Sequence, residues 1–534
     1  MLASGLAVLI VAGCSGSGGG GMAPPMKQYT LTVASANPAS GVAITAVPAD
    51  KNGASEGTTS FALTYAAGAS VTLTAPATAG GNNFSSWSGC AAASGTTCTV
   101  IVNAATTATA EYTSPHTYYV SGTGSDSADG LSVGTAFLTL QHAADVTQPG
   151  DTVEVMNGTY TNSCASCDVV DISTPGTANA WIRYEVYPGQ TAVVSFNGWA
   201  GFSIRPTAAY VQVSGFTIVG NNYHVTLQQA QHQSTTNPDP AFNGNCIVSD
   251  GRQGSATQKP HHLKILNNTI YACGGSGIGT IQSDYVTIAG NTIYDSAWYS
   301  FYDTSAISTF QNWNFDDTTG TKILITGNRI FGNQNLIPDP GSGRITDGEG
   351  IIVDTNRNDA YQASIGIPAY VGRTLIANNV IYGNGSAAIE AFESDHVDVV
   401  NNSTYGDVQN SSVSGRGEMN LNEASDVNVI NNIFYAAAGQ NPAVVCCQAS
   451  SILFDSNVYF GGANQGFSSG THDVTGNPLY VDAADANRLD VLLTLARGSP
   501  GLGTGTANLA PATDFLGNPR PGPGGYDRGA YQQE

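Results

Sequence analysis

Between Leu263 and Phe460, apolar and polar residues alternate in a nine-residue phrase that recurs seven times, starting at Leu263, Val286, Ile323, Thr374, Val397, Val427 and Ile452. The first copy reads L-K-I-L-N-N-T-I-Y and the last I-L-F-D-S-N-V-Y-F, and a weaker eighth from Val211 has Phe216 where the others have asparagine. Alternation of period two predicts a strand in each copy rather than a helix. The shared asparagines, Asn268, Asn291, Asn328, Asn379, Asn402, Asn432 and Asn457, follow at steps of 23, 37, 51, 23, 30 and 25 residues. Recurrence on that scale predicts a solenoid. Asparagine tolerates a left-handed backbone, which a sharp turn between strands requires. Stacked rung upon rung, its amides can also bond to one another in a ladder.

Over roughly residues 117 to 480 this pattern resembles the right-handed parallel β-helix proteins of the pectate-lyase-like superfamily, a group rich in polysaccharide lyases and hydrolases. The expected fold is all-β, a right-handed parallel β-helix preceded by a small β-sandwich. The fold alone does not decide the reaction, because one architecture hosts many chemistries.

Residues 29–114 alternate in short runs separated by Gly, Asn and Pro, which predicts the sandwich. Its phrase F-S-S-W-S-G-C from Phe84, closing in A-T-A-E-Y from Ala108, is similar to internalin-type B-repeat modules. Trp87 reads as a core residue before a sugar-stacking one. Residues 115–480 are assigned to the β-helix, where Leu138 to Val146 form an amphipathic helix expected to cap the open end. Asp126 and Asp129, just before it, suit a turn better than a calcium site. The Pro- and Gly-rich residues 481–534 read as a C-terminal cap or tail.

At its start the chain carries a short apolar run, Leu6 to Val11, then Cys14 and a Gly/Ser/Pro linker over 15–28. Residues 1–14 resemble a bacterial lipoprotein signal, although no Lys or Arg precedes the run. The resemblance implies lipid on Cys14 and a place in the cell envelope. Of nine cysteines this leaves eight, an even number suited to an oxidising compartment. Cys90 with Cys98, Cys164 with Cys167, and Cys246 with Cys273 are the expected disulfides. Cys446 and Cys447, adjacent on one strand, would face opposite ways and are left unpaired.

Only 10% of residues are charged, and the net charge is −22. No basic stripe exists to neutralise phosphates, which argues against a nucleic-acid partner. A polyanionic substrate would need a cation or a local basic cluster.

The long repeat intervals, Asn291 to Asn328 and Asn328 to Asn379, place insertions on one face, the usual binding face of a solenoid. A second column of repeats begins at Cys246, Gly277, Ala306, Gly350, Ala388 and Glu418. With the first apolar residue inward, alternation sends Val248, Gly279, Ser308, Ile352, Glu390 and Asn420 outward. Beside them run Asp250, Ile281, Phe310, Asp354, Phe392 and Asn422. Asp354 and Glu390 then sit on neighbouring rungs about 4.8 Å apart, with Asp347, Glu349 and Glu393 close by.

Five carboxylates so placed repel unless a cation or a shared proton intervenes. Calcium on Asp347, Glu349 and Glu393 would serve β-elimination, with Asp354, Glu390 and a base drawn from Arg344, Arg357 or Lys322. Alternatively, paired carboxylates would act as acid and base or nucleophile in glycoside hydrolysis. The family-nine pectate lyases use a strand lysine as base, and Ile352 occupies that place here. Trp298, Tyr299, Tyr302, Phe310 and Trp313 are candidates for stacking on sugar rings. The favoured expectation is a calcium-assisted lyase acting on an acidic polysaccharide; a hydrolase and a non-catalytic glycan-binding adhesin are the alternatives.

Overall fold

The protein is described by a computed structural model covering residues 26–357, 366–483 and 493–533. Cys14 and its signal lie outside the described residues. The described residues form two compact units, one made of residues up to Gly80 with Phe84–Thr113 and one made of Gly81–Asn83 with the residues from Ser114 onward.

In the N-terminal unit two five-stranded sheets enclose a core containing Leu31, Ile44, Leu73, Trp87 and Val100. The strand Gln28–Ala36 pairs antiparallel with Phe61–Ala66 and parallel with Thr106–Thr113. Trp87 is 9% exposed and donates its indole N–H to the Thr96 carbonyl at 2.9 Å, so it is a core residue. The Cys90–Cys98 disulfide bridges the hairpin beside it.

From Thr117 the chain winds into a right-handed parallel β-helix. Among the described residues, sheet 1 has eleven strands, from Thr117–Val120 to Ser450–Asp455. Sheet 2 also has eleven, from Gly158–Thr161 to Val474–Thr475, and sheet 3 has nine, from Val170–Ile172 to Asn441–Cys446. Each of the nine complete coils contributes one strand to each sheet, so the rest of the coil serves as the crossover that parallel strands need. The repeated phrase spans the corner from sheet 1 to sheet 2, and its first residues lie in register: Leu263, Val286, Ile323, Thr374, Val397, Val427 and Ile452. Inward-pointing Ile265, Ile288, Ile325, Ile376 and Val399 stack through the core. Each such side chain contributes roughly 1.5–3 kcal/mol on leaving water.

The corner divides its labour between two residues. The left-handed position is one residue before each shared asparagine, at Asn267, Asn378, Asn401, Asn431 and Ser456, with glycine at 290 and 327. The shared asparagine is instead buried and forms the ladder. Asn291 Oδ1 accepts both the main-chain N–H and the amide of Asn268 at 3.0 Å. Asn328 Oδ1 does the same for Asn291, at 2.9 and 3.0 Å. The series continues through Asn379, Asn402, Asn432 and Asn457, and ends on Asp473. Each amide N–H left over reaches a main-chain carbonyl within the coil stack, such as that of Ile288 from Asn328 at 3.0 Å.

A second ladder, five residues downstream, was not anticipated. Ser296, Asn333, Asn384 and Asp407 stack in the same manner at the next corner, the Asn384 amide donating to Asp407 at 2.7 Å.

The helix spans Leu140–Val146, capped by Thr139, and buries Leu140, Ala143 and Ala144 against the first coils. Asp126 accepts from the Leu138 and Thr139 N–H groups, tying the preceding loop to the helix start. At the other end Phe467 stacks on Phe454 with ring centroids 3.9 Å apart. The C-terminal tail runs back along the flank rather than covering only the end: Asn378, Asn401 and Asn431 donate to the carbonyls of Thr513, Asp527 and Thr506. The left-handed corner turns its amides outward there, and the tail supplies their acceptors.

Asn379→Ala leaves the Asn328 N–H and amide without their shared acceptor inside the stack. At about 1–3 kcal/mol for each stranded buried donor, the variant is expected to show a clearly lower denaturant midpoint. An unchanged midpoint would show that the ladder contributes nothing to stability.

Candidate active site

The exit strand of each coil builds the candidate face. Sheet 3 registers Ile247, Ile278, Ile307, Ile351, Ile389 and Met419 inward. It therefore presents Val248, Gly279, Ser308, Ile352, Glu390 and Asn420 outward, beside Asp250, Ile281, Phe310, Asp354, Phe392 and Asn422. Over the N-terminal part of this face lies a groove of about 480 Å³. Trp199, Tyr302 and Phe310 give it apolar walls, while Arg252, Asp303 and Asp354 are its charged groups. Tyr302, 51% exposed, stands at its rim.

Two carboxyl groups reach this groove from different elements. Asp354 ends the strand Ile351–Asp354, and Asp303 belongs to the insertion that precedes the strand Ile307–Phe310. Asp303 takes a left-handed backbone, φ 48°, and its Oδ1 is buried with no hydrogen-bond partner among the described residues. Burial, reinforced by Asp339, pushes Asp303 up to about 6. Burial also pushes Asp354 up to about 7, with Glu393 and Asp303 adding repulsion against a hydrogen bond from Thr355. Strongly perturbed acids lining a cleft are functional-site candidates.

Further along the face, insertions bury a second acidic group. Glu390, 1% exposed, accepts from the Asn420 amide at 2.7 Å and lies 3.3 Å from Arg416 Nε. Those two atoms are close without an aligned hydrogen bond. Glu349 accepts from the Ser305 and Ser386 hydroxyls, both at 2.5 Å, one on each oxygen. Burial first, then Glu390, pushes Glu349 up to about 8, and burial pushes Glu390 up to about 7. Asp347, raised by burial and by Glu349, Asp303 and Asp354, links this row to the groove.

The sequence-based candidates divide accordingly. Asp354, Tyr302 and Phe310 line the groove. Asp354 and Glu390 are on neighbouring rungs but two residues out of register, since Glu390 pairs with Ile352. Their Cα atoms are therefore roughly 8 Å apart, and each finds other neighbours. Trp298 and Tyr299 pack in a cluster with Phe301 and Ile337, and Trp313 is buried with its N–H on the Ala256 carbonyl at 3.2 Å. These three serve loop packing.

None of the proposed bases stands in the groove. Lys322 is on sheet 1, held by Asp284 and Asp316 at 2.9 Å each. Arg357 is at the corner, 3.4 Å from Asp395 and donating to the Glu423 carbonyl at 2.5 Å. Arg344 is on the exposed part of the insertion. Asp347, Glu349 and Glu393 also fail as a shared ligand set. Both Glu349 oxygens hold hydroxyls, Glu393 sits at the corner beyond the strand, and no three metal-ligating side chains converge among the described residues. Asp347, Glu349 and Glu393 therefore do not form one calcium site.

Sequence reasoning missed Trp199, Arg252, Asp303 and Arg416. Arg252 follows Asp250 by two residues and pairs with it at 2.7 Å. Arg416 directly precedes the strand Gly417–Asn422, so its position beside the outward column was legible. Trp199 and Asp303 sit in loops, where no period assigns a direction.

Comparison with known proteins agrees on architecture. A family model described as a right-handed beta helix region matches residues 200–402. Among solved structures, a pectate lyase is 15% identical, covering 79% of this chain and 97% of its own, with a TM-score of 0.45. A rhamnogalacturonan lyase is 15% identical, over 72% and 96%, with a TM-score of 0.39. A lacto-N-biosidase from Eubacterium ramulus is 14% identical, over 67% and 68%, also at 0.39. Likeness at this level carries no residue role or reaction across. No curated protein matches the sequence.

The buried row sets a pH dependence. Folding raises Glu349 from its ordinary 4.5 to about 8, so the folded chain keeps a proton that the unfolded chain releases. The stability linked to that proton is full below about pH 4.5 and lost as pH rises through about 8. Glu349→Gln, which keeps the shape and a hydrogen bond to each serine, is expected to flatten the fall. Denaturation midpoints at about pH 5 and pH 8 measure it; parallel curves for both proteins would refute the assignment.

Proposed function

We propose that the chain is a glycan-cleaving enzyme that hydrolyses a glycosidic bond in the sheet 3 groove, with Asp354 as general acid and Asp303 as its carboxylate partner. The observation carrying this is the convergence of two near-neutral carboxyl groups in one groove with aromatic walls. The group with the higher affinity for its proton keeps it near neutrality and can protonate the leaving oxygen. The other ionises first and can act on the sugar as base or nucleophile. Trp199, Tyr302 and Phe310 offer faces for sugar rings, and Asn245, whose Oδ1 is held by the Ser276 N–H, offers its amide nitrogen to a hydroxyl.

The same groove disfavours a carboxylate at the cleaved sugar. A uronate would approach Asp303 and Asp354, while Arg252 is already engaged by Asp250. A polysaccharide whose reacting residue is uncharged suits it better than the acidic polymer expected from sequence. The chelator-sensitive elimination expected from sequence has no ligand set to support it.

A second reading, β-elimination further along the face, is favoured by one observation, the arginine within the acidic row at Arg416. The products separate the two, since elimination leaves an ultraviolet-absorbing double bond and hydrolysis does not.

A panel of neutral and uronic-acid polysaccharides, followed by reducing ends and ultraviolet absorbance, tests the proposal. New reducing ends without absorbance, unaffected by chelator, are expected. Asp354→Asn and Asp303→Asn should each lower kcat by about 10²–10⁴-fold. The rate should peak between about pH 6 and 7, where Asp303 is ionised and Asp354 protonated. Absorbance, or activity untouched by both substitutions, would overturn it.

A further inference from the structure

Cys446 and Cys447 lie at the far end of the same face, and the proposed hydrolysis does not use them. Cys446 closes the last strand of sheet 3, Asn441–Cys446, and pairs with Asn422. It therefore belongs to the outward column that contains Asp354 and Phe392. Adjacent residues on a continuing strand face opposite ways, but the strand stops here. Cys447 and Gln448 both take left-handed backbone, φ 60° and 68°, which brings the second side chain back toward the first. The Cys447 and Cys446 sulfurs lie 2.7 Å apart, closer than two nonbonded thiols can sit.

Three observations set the chemistry. The other six described cysteines are all in disulfides, Cys90–Cys98, Cys164–Cys167 and Cys246–Cys273. That pattern belongs to an oxidising compartment. Cys447 is exposed and Cys446 half-buried, so an external disulfide can reach the first and not readily the second. Burial, together with the neighbouring thiol, pushes Cys446 up to about 12. Cys447 is therefore the attacking group.

We propose that Cys446 and Cys447 are a vicinal dithiol–disulfide site that exchanges with external disulfides. The Cys447 thiolate attacks one sulfur of a small-molecule or protein disulfide, forming a mixed disulfide and releasing one thiolate. Cys446 then gives its proton to solvent and attacks the Cys447 sulfur, forming the Cys446–Cys447 bond and releasing the second thiolate. Two electrons pass to the external disulfide, and the two protons lost by the cysteines balance its two new thiols. Its exposure makes the bond readily reduced, as it also does the exposed Cys164–Cys167 bridge, while Cys246 and Cys273, fully buried, stay bridged. The site stands independently of the glycan-cleaving reading.

Oxidised glutathione is the probe, applied to the folded full chain, followed by alkylation and peptide mapping by mass. The wild-type peptide holding both cysteines is expected to be two hydrogens lighter, unalkylated and free of glutathione. Brief treatment with a mild reductant should open it to alkylation while Cys246–Cys273 remains closed. Cys446→Ser removes the resolving thiol, so Cys447 should retain glutathione as a stable adduct. The proposal is overturned if both wild-type cysteines remain alkylatable after oxidation, or if wild type accumulates the same adduct as Cys446→Ser.

Discussion

The amide ladder at the corner between sheets 1 and 2 holds everything else in place. Each shared asparagine gives its oxygen to two donors of the coil before it and its own N–H groups to the coil after it and to a main-chain carbonyl. A coil displaced by one residue would break three bonds and turn its apolar side chains outward at once. Register is therefore specified twice, by the buried amides and by the core they flank. Because the strands stay in register, side chains of one column stay stacked, and the outward face of sheet 3 becomes a surface with fixed positions rather than a set of loops.

On that surface the protein carries an arrangement that works against its own stability. Carboxyl groups at Glu349 and Glu390 are buried and removed from water, and proton retention relieves much of the repulsion. Serine hydroxyls satisfy Glu349, and Asn420 with Arg416 attends Glu390. Asp303 and Asp354 differ because the groove leaves them accessible to a ligand. Burial alone thus separates acids that hold the insertions down from acids that can meet a substrate. The two groups communicate through Asp347, whose proton affinity depends on members of both.

Periodic features were legible along the chain and irregular ones were not. The phrase starting at Leu263 placed the stacked strands and their turns, and the second column of repeats from Cys246 placed Asp354 and Glu390 on the outward face, since alternation and recurrence are local properties of sequence. The second ladder was equally available, five residues beyond Asn291, Asn328, Asn379 and Asn402, and went unread. Directions in loops were lost. Trp298 and Tyr299 turn into a packed cluster, while Tyr302, a few residues on, faces the groove. Nearness in sequence misled for Lys322, because one turn of the coil carries it to another sheet, where Asp284 and Asp316 hold it.

By itself the sequence determined a coil of stacked strands, an asparagine stack at its turns and an acidic outward face. Each of those depends only on the spacing of residue types along one strand or one coil. The tertiary structure alone decided which acids share a groove, which are buried, and which cation stands among them. Those outcomes depend on how long insertions fold back over the sheet, and on the left-handed backbone at Cys447 and Gln448 that brings the Cys447 sulfur onto Cys446. No periodicity encodes either one.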